Sequence, residues 1–245
     1  MEKLIRDVRK KHTRLLFGLL GYLFVSIAVI VLLFLSSLTT DKKLSLLLVV
    51  LILMLFLAFW FKPRFYYYTQ QIKYLNLKKL KNPPLKISSF NLNQIFLAKL
   101  TKNAYQIFTD NDRFLVFHRY TQDNDAYVTK KTMLEILIFI KDTTISFQAD
   151  QINKTINLIE DDYAKKKIKY TNYSIIEIKH SKKVDEANIN EVDNITFDVE
   201  SGRHISVILV YIDQCQQEAH FLYSDLFTPN IYYSYAVNLV KEILK

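Results

Sequence analysis

The sequence predicts a membrane-anchored α+β protein, with an N-terminal two-helix transmembrane hairpin followed by a cytosolic domain that has a mainly antiparallel sheet and about three helices. Three observations predict this fold. Two long uncharged apolar runs lie within the first 61 residues. Lys and Arg are concentrated on the outer flanks of those runs. The remaining chain mixes β-branched and aromatic runs with stretches of helical spacing.

The two apolar runs have the length of membrane spans. Residues 15–35 and residues 44–61 contain no charged side chain and are dominated by Leu, Val, Ile and Phe. A helix of about 20 residues crosses the ~30 Å hydrocarbon layer of a bilayer. A cleaved signal peptide is the alternative for the first run, but the run is longer than an ordinary signal-peptide core and no clear cleavage site follows it. We therefore expect a helical hairpin with a short connection over residues 36–43.

The charges around the spans predict the orientation. Residues 1–86 hold 15 Lys and Arg against three Asp and Glu, whereas residues 87–245 hold 18 against 21. The connection between the spans has only Lys42 and Lys43 as basic residues. Because cytoplasmic flanks carry the excess of Lys and Arg, the chain is predicted to be a two-pass protein of the cell membrane with both termini cytoplasmic. The residues expected at the membrane interface are Arg14, Trp60, Phe61, Lys62, Arg64 and Tyr66.

The same charge distribution bears on partners. The excess positive charge lies beside the apolar runs, where anionic lipid headgroups attract it, and the rest of the chain is mildly acidic. A nucleic-acid partner is therefore not indicated. The predicted partners are the lipid bilayer and another protein.

Proline and charge mark the predicted domain boundaries. Asn82-Pro83-Pro84 should end the helix that leaves the second span, because proline disfavours helical geometry in the residue before it. The soluble region divides roughly at residue 148, but no Ser, Pro or Gly linker separates the halves, so one domain is preferred over two subdomains. The predicted organisation is a basic segment 1–14, the hairpin 15–62, a basic juxtamembrane helix and linker 63–86, and the α+β domain 87–245.

Periodicity predicts the elements of the soluble domain. Apolar residues at helical spacing indicate helices, and alternating β-branched or aromatic runs indicate strands. The last helix should begin with Thr228 as its cap and Pro229 at its first position. The other predicted elements are a helix over 91–102, a hairpin over 104–109 and 113–120, strands over 134–140 and 144–147, a helix over 149–168, a strand over 173–179, a hairpin over 195–200 and 204–212 that turns at Gly202, and a strand over 219–223.

Glycine and cysteine counts exclude several chemistries. Only Gly18, Gly21 and Gly202 exist, and phosphate-cradling loops need several glycines, so the common nucleotide-binding motifs are missing. Cys215 is alone, which excludes an internal disulfide and a multi-cysteine zinc site. No cofactor is predicted. The abundance of Lys, Asn and Ile is typical of proteins from AT-rich bacterial genomes.

Glu177-Ile178-Lys179 is the sharpest chemical pattern. A spacing of two places both charged side chains on one face of a strand, where a carboxylate can hold Mg²⁺ and a lysine can stabilise negative charge on a phosphate. Metal-dependent nucleases use such a pair together with a further acid, which Asp161 or Asp162 would supply. The alternative is that these acids form ordinary helical ion pairs with the lysines that follow them and that Glu177 and Lys179 lie on a solvated strand face.

Other candidate sites are weaker. His204 and His220 could meet across neighbouring strands near Cys215, but no zinc motif surrounds them. The acidic triplets at 110–112 and 123–125 lack the glycine and the later glutamate of a calcium loop, so turns explain them.

The favoured function is a membrane-tethered interaction or adaptor module, in which a sheet face or the acidic loop Asp185–Asp193 binds another protein. One alternative is a membrane-anchored metal-dependent hydrolase or nuclease that uses Glu177 and Lys179. Another is an accessory subunit whose hairpin packs against a larger membrane complex. No enzymatic activity is assigned.

Overall fold

The computed structural model describes residues 1–88, 90–123, 131–182, 184, 186–200 and 202–244. The chain forms two units, Met1–Lys79 and Leu80–Lys245. The first unit is entirely helical, and the second is built on a sheet.

The helical unit consists of α1, Glu2–Leu35, and α2, Thr40–Lys79. Both helices are long and apolar enough to cross a membrane. The helix that was predicted to leave the second span is present, because α2 continues through Pro63 as far as Lys79. Proline lacks a backbone N–H, so only one helical hydrogen bond is lost at this position.

The two helices run antiparallel along their length. At one end Lys79 Nζ lies 2.7 Å from Glu2 Oε1. Further along, His12 Nε2 lies 3.2 Å from Thr69 Oγ1. Ile5, Val8 and Leu75 form a small buried core together with the partly buried side chains of Tyr68, Ile72 and Tyr74. The pairing therefore extends beyond the two apolar runs.

The sheet unit contains eight strands and four helices among the described residues. The strands are β1 Leu85–Lys86, β2 Gln106–Asp110, β3 Phe114–Asp123, β4 Lys131–Ile140, β5 Asn172–Ser181, β6 Thr196–Glu200, β7 Arg203–Asp213 and β8 Glu218–His220. The helices are α3 Gln94–Lys102, α4 Asp150–Lys165, α5 Glu186–Glu191 and α6 Ile231–Leu244.

The sheet is mixed. Its order is β1-β8-β7-β5-β4-β3-β2, and β6 also pairs with β7. The central strands β4, β5 and β7 are parallel, and the other pairs are antiparallel. The expected mainly antiparallel sheet is therefore correct for the outer pairs and wrong for the centre. Helix α4 makes the crossover from β4 to β5 that a parallel pair requires.

Helices cover both faces of the sheet. On one face, Ile152, Ile156 and Ile159 of α4 pack against the alternate residues Leu134 to Ile140 of β4. On the other face lie α3 and α6, marked by a contact of 5.5 Å between the rings of Phe96 and Phe139. All residues from Asn172 to Lys179 of β5 are consequently buried. Burial on both faces is typical of the parallel centre of an α/β-type sheet.

Most predicted elements are confirmed, with local corrections. Both hairpins are present, and Gly202 has a φ of +80° in the second turn. Residues 144–147 do not form a strand. Thr228 does not cap α6, because the Tyr233 N–H donates to Asn230 Oδ1 at 2.8 Å. A fourth helix, α5, occupies the expected acidic loop.

The two acidic triplets have different outcomes. The first forms the turn between β2 and β3, where Asn111 Oδ1 accepts hydrogen bonds from the N–H groups of Arg113 and Phe114. This geometry confirms the turn that was predicted there. In the second triplet, residues 124 and 125 lie outside the described residues.

Candidate functional site

Glu177 and Lys179 lie side by side on the α4 face of the central strand β5, with 1% and 3% of their surfaces exposed. The Gln148 N–H donates to Glu177 Oε2 at 2.8 Å. Burial raises the pKa of Glu177 to about 7, although this hydrogen bond and the charge of Lys179 oppose the rise. The carboxyl group of Glu177 therefore changes its protonation state near neutral pH.

Lys179 is paired with a residue that the sequence did not single out. Its Nζ lies 3.4 Å from Glu191 Oε2 in α5 and 4.1 Å from the centre of the Phe147 ring. Glu191 Oε1 also accepts a hydrogen bond of 3.1 Å from the Phe147 N–H. Burial lowers the pKa of Lys179, and Glu191 opposes that shift. The two carboxylates thus hold the segment 147–148 over the lysine.

Asp162 lies away from this pair. Its carboxylate accepts from Lys166 Nζ at 2.7 Å on the surface of α4. Glu177 contacts the residues just before the start of α4, and Asp162 is about 18 Å further along that helix, given a rise of about 1.5 Å per residue. Asp161 lies on the same distant turn of α4. The second carboxylate near Lys179 is Glu191.

The charged groups around β5 limit the available chemistry. Within the described residues, no group of three or more His, Cys, Asp or Glu side chains is placed to hold a metal ion. A carboxyl group with a pKa of about 7 suits general acid–base catalysis where a substrate can reach it. Glu177 is covered by the segment 147–148, and its oxygen is already engaged there. The metal-dependent nuclease stays a prediction, and Glu191 would have to provide its second acid.

Sequence reasoning missed a buried carboxylate on the opposite face of the sheet. Glu135 of β4 is fully buried and accepts hydrogen bonds from the hydroxyls of Tyr105 and Tyr235, the latter at 2.6 Å. Arg119 of β3 donates to the same carboxylate at 2.7 Å and 3.0 Å. Burial and the charge of Glu135 raise the pKa of both tyrosine hydroxyls, so both remain donors. Glu135 therefore ties β3, β4 and α6 together.

Glu135 belongs to a polar row that crosses the centre of the sheet. Arg119, Glu135, Ser174 and Ser206 are aligned in register on β3, β4, β5 and β7. The hydroxyls of Ser174 and Ser206 are buried and bond to no other protein atom in the described part of the chain. The sequence signal for this row was a single glutamate within the apolar run of β4.

The histidine and cysteine side chains do not form a site together. His204 lies near the start of β7, whereas His220 pairs with Tyr211, about 23 Å further along that strand at roughly 3.3 Å per residue. Cys215 is exposed and follows the end of β7. The meeting of His204 with His220 that the sequence allowed is therefore wrong.

The acidic segment 185–193 is only partly available at the surface. Asp185 lies outside the described residues, and α5 covers Glu186–Glu191. Asp193 is buried and lies 2.6 Å from Lys81 Nζ. The carboxylates of Glu191 and Asp193 are therefore used in contacts within the sheet unit, while Glu186 stays exposed.

One edge of the sheet is long and open. Within the described residues β2 pairs only with β3, and β3 continues past it through residues 119–123. Ile107 of β2 is 54% exposed, and the adjacent helix α3 exposes Ile95. On the opposite side of the sheet the outer strands are β1, with two residues, and β6, which has five residues and pairs only with β7 in the described part of the chain. The β2 side adds the end of β3 to the five residues of β2, so it is the longer open edge.

The predicted membrane-interface residues cluster where each helix leaves its apolar run. Arg64 Cζ lies 3.6 Å from the centre of the Trp60 ring, and the Tyr66 hydroxyl accepts from Gln70 at 2.6 Å. Trp60 and Phe61 make an edge-to-face contact at 5.0 Å. Arg14 and Lys62 are exposed. Amphipathic aromatic and basic side chains of this kind suit a boundary between apolar and polar surroundings.

Comparison of the chain with protein-family models, curated proteins and solved structures gives no match. Its function is therefore inferred from its own residues and contacts.

Proposed function

We propose that this chain is a membrane-tethered interaction module. In this proposal α1 and α2 form a two-pass anchor, and the sheet unit binds a segment of another protein at the cytoplasmic face. The main observation in support of the anchor is that the apolar surface of both helices is not covered by other parts of the protein. In their most apolar 18-residue windows, only 6% of the residues of α1 and none of the residues of α2 are buried.

The size of that surface supports anchoring. Phe17, Phe24, Phe34, Phe56 and Phe59 are all strongly exposed, and each large apolar side chain gains about 1.5–3 kcal/mol on burial. Soluble proteins rarely expose contiguous apolar patches above a few hundred Å². The two runs correspond to about 31 Å and 27 Å of helix, which matches the ~30 Å hydrocarbon layer. This surface is therefore suited to contact with the hydrocarbon layer of a bilayer.

The charge pattern supports a cytoplasmic sheet unit. Basic residues flank the outer ends of both apolar runs, and the connection between α1 and α2 carries Asp41 beside Lys42 and Lys43. The excess of positive charge on one side favours retention of that side in the cytoplasm. The sheet unit follows α2 in the chain, so this proposal assigns it to that side.

The open edge of β2 supports the interaction role. Unpaired N–H and C=O groups of an edge strand are a template for a strand from another chain. An extended segment that adds to β2 would gain main-chain hydrogen bonds, and an apolar side chain in it would cover Ile107. The proposed partner is therefore a protein with an extended, partly apolar segment.

Affinity purification tests the interaction role. The full chain is purified from crosslinked membranes in mild detergent as the wild type, as Ile107→Lys and as Leu158→Lys. Both residues are exposed, but Leu158 lies on α4 rather than at the sheet edge. We expect a partner with the wild type and Leu158→Lys and its loss with Ile107→Lys, because a charge on an edge strand blocks pairing. Equal recovery with both variants, or no partner at all, would contradict the proposal.

A second candidate is a membrane-anchored hydrolase that uses Glu177 and Lys179. The observation in its favour is the shifted pKa of both groups, since such shifts are common at functional sites. The segment 147–148 would have to move aside to admit a substrate. The test measures phosphodiester hydrolysis by the purified wild type and by the Glu177→Gln variant. Hydrolysis by the wild type that is lost in the variant would support this candidate, and equal rates in the two proteins would reject it.

A further inference from the structure

Both helices of the anchor extend well beyond their apolar runs. Residues 2–14 of α1 and residues 62–79 of α2 add about 20 Å and 27 Å of helix at about 1.5 Å per residue. We call these two segments the helix arms. The arms contact each other through Glu2 and Lys79 and through His12 and Thr69.

A basic cleft of about 710 Å³ lies along the arms. The carboxylate of Glu2 in its wall is already engaged, since the hydrogen bond from Lys79 lowers the pKa of Glu2. In the part of the chain that the structure describes, the other basic groups of the cleft form no ion pair. These groups are Arg6, Arg9, Lys10 and Arg14.

A second cleft of about 550 Å³ also includes Arg14. Its wall combines Lys11 and Arg64 with the rings of Tyr67 and Tyr68. Arg14 thus lies between two concave surfaces that both carry uncompensated positive charge. This arrangement differs from a scatter of surface lysines, because several cations line the same two open clefts.

The position of the first cleft along α1 identifies the ligand chemistry. Its lining includes Phe17, which lies inside the apolar run, and Arg14, Lys10 and Arg9, which come before that run on α1. From the start of the run at Leu15, these basic residues lie within about 9 Å along the helix axis. The headgroup layer of a bilayer is about 5–8 Å thick on each side. An apolar residue within the run and basic residues just before it, lining one cleft, match an acyl chain and the phosphate attached to it.

We infer that this cleft binds the headgroup of an anionic phospholipid. The phosphate accepts hydrogen bonds from the guanidinium groups of Arg9 and Arg14 and pairs with the ammonium group of Lys10, and the acyl chain passes Phe17. Guanidinium groups suit this role because their planar donors match two phosphate oxygens at once. Basic pockets between helices on the cytoplasmic side of a membrane bind acidic headgroups in this manner. The inference rests on the proposed membrane anchoring.

The full chain in vesicles provides the test. Vesicles contain equal amounts of phosphatidylcholine and phosphatidylglycerol, and the lipids retained after extraction in mild detergent are counted by native mass spectrometry. The cleft variant is Arg9→Gln/Lys10→Gln/Arg14→Gln. The control is Lys3→Gln/Lys73→Gln/Lys78→Gln, which removes the same charge from the same unit at positions outside both clefts.

We expect the wild type and the control to retain phosphatidylglycerol in preference to phosphatidylcholine. The cleft variant should lose that preference by about tenfold, because three cations that line one cleft are removed. Equal losses in the two variants would overturn the inference, since diffuse attraction to the surface would explain them. Displacement of the lipid by soluble glycerol 3-phosphate at similar concentration would also overturn it, since the site would then select a free phosphate.

A separate readout distinguishes failure of the anchoring. If the wild-type chain fails to float with the vesicles in a density gradient, the proposed anchor and the headgroup site are both overturned. If the chain floats and retains no phosphatidylglycerol, only the headgroup site is overturned.

Discussion

The helical unit exposes large apolar side chains such as Phe24 and Phe56, whereas the sheet unit buries charged ones such as Glu135, Glu177 and Lys179. In the helical unit the apolar runs contain no charge at all. In the sheet unit each of these three buried charges has a hydrogen-bond or ion-pair partner. A charged group can leave water only with such partners, and an apolar surface is stable only where water is kept away from it. Under the proposed membrane anchoring, the two units are therefore built for two different solvents.

This difference has a consequence for mutations. Exposure has opposite meanings in the two units, because an exposed position in the sheet unit faces water and an exposed position in an apolar run is proposed to face lipid.

The largest expected effect is the loss of Glu135. Replacement by leucine removes the acceptor for two tyrosine hydroxyls and leaves Arg119 without its carboxylate. Breaking a buried ion pair by removing one partner costs about 3–5 kcal/mol. Urea unfolding of the full chain in detergent, followed by circular dichroism, measures this loss. The control Glu160→Gln, at a partly exposed pair with Arg203, should change the free energy of unfolding by less than about 1 kcal/mol.

The next effect compares one exposed apolar residue in each of the two units. Phe24 is 71% exposed in α1, and Leu158 is 58% exposed in α4. We expect Phe24→Lys to disfavour membrane insertion by about 2.5–3.5 kcal/mol, because a lysine at the centre of a span is costly. Leu158→Lys should be tolerated within about 0.5 kcal/mol, as surface substitutions usually are. Membrane fractionation measures the insertion of Phe24→Lys, and the urea unfolding assay measures the stability of Leu158→Lys. If neither variant differed from the wild type, the two units would not differ in their surroundings as proposed.

The third effect is a pH dependence that originates at Glu177. Its pKa is raised from the ordinary value of 4.5 to about 7 in the folded state, so the folded protein binds the proton more tightly than the unfolded one. Stability should therefore fall as pH rises from about 4.5 to 7, by roughly 3 kcal/mol at about 1.4 kcal/mol per pKa unit. Above that range this contribution stays constant.

Glu177→Gln isolates this contribution. Glutamine keeps an oxygen that can accept from the Gln148 N–H but does not titrate. As pH rises from 4.5 to 7, the wild type should lose stability and the variant should not. The free energy of unfolding of the variant should therefore rise relative to that of the wild type over this range. A difference that stays constant with pH would show that Glu177 titrates normally.

Much of the secondary structure was predictable from local pattern. The apolar runs have no charge to interrupt them, and the hairpin turns carry Asn111 and Gly202, whose chemistry suits tight turns. The predicted cap of α6, Thr228, lies two residues before the observed cap, because Thr228 and Asn230 are both good caps and only the fold decides between them.

The parallel centre and the buried charge clusters were not predictable by the same means. A strand buried on both faces, such as β5, has no clear alternation, and its direction depends on the crossover through α4 rather than on its own residues. The partners of Glu135 come from positions 105, 119 and 235, which only the tertiary fold brings together. Glu191 was likewise hidden, because its contact with Lys179 depends on how α5 packs.

The most direct test of the two-solvent account uses the lone cysteine. Cys215 is exposed in the sheet unit, and Thr39 is exposed in the connection between α1 and α2. Intact cells that express either the wild type or Thr39→Cys/Cys215→Ser are treated with a membrane-impermeant maleimide. The account predicts that Cys215 reacts only after the membrane is permeabilised, while a cysteine at position 39 reacts in intact cells. Labelling of Cys215 from outside, or recovery of the chain in a soluble fraction without detergent, would contradict it.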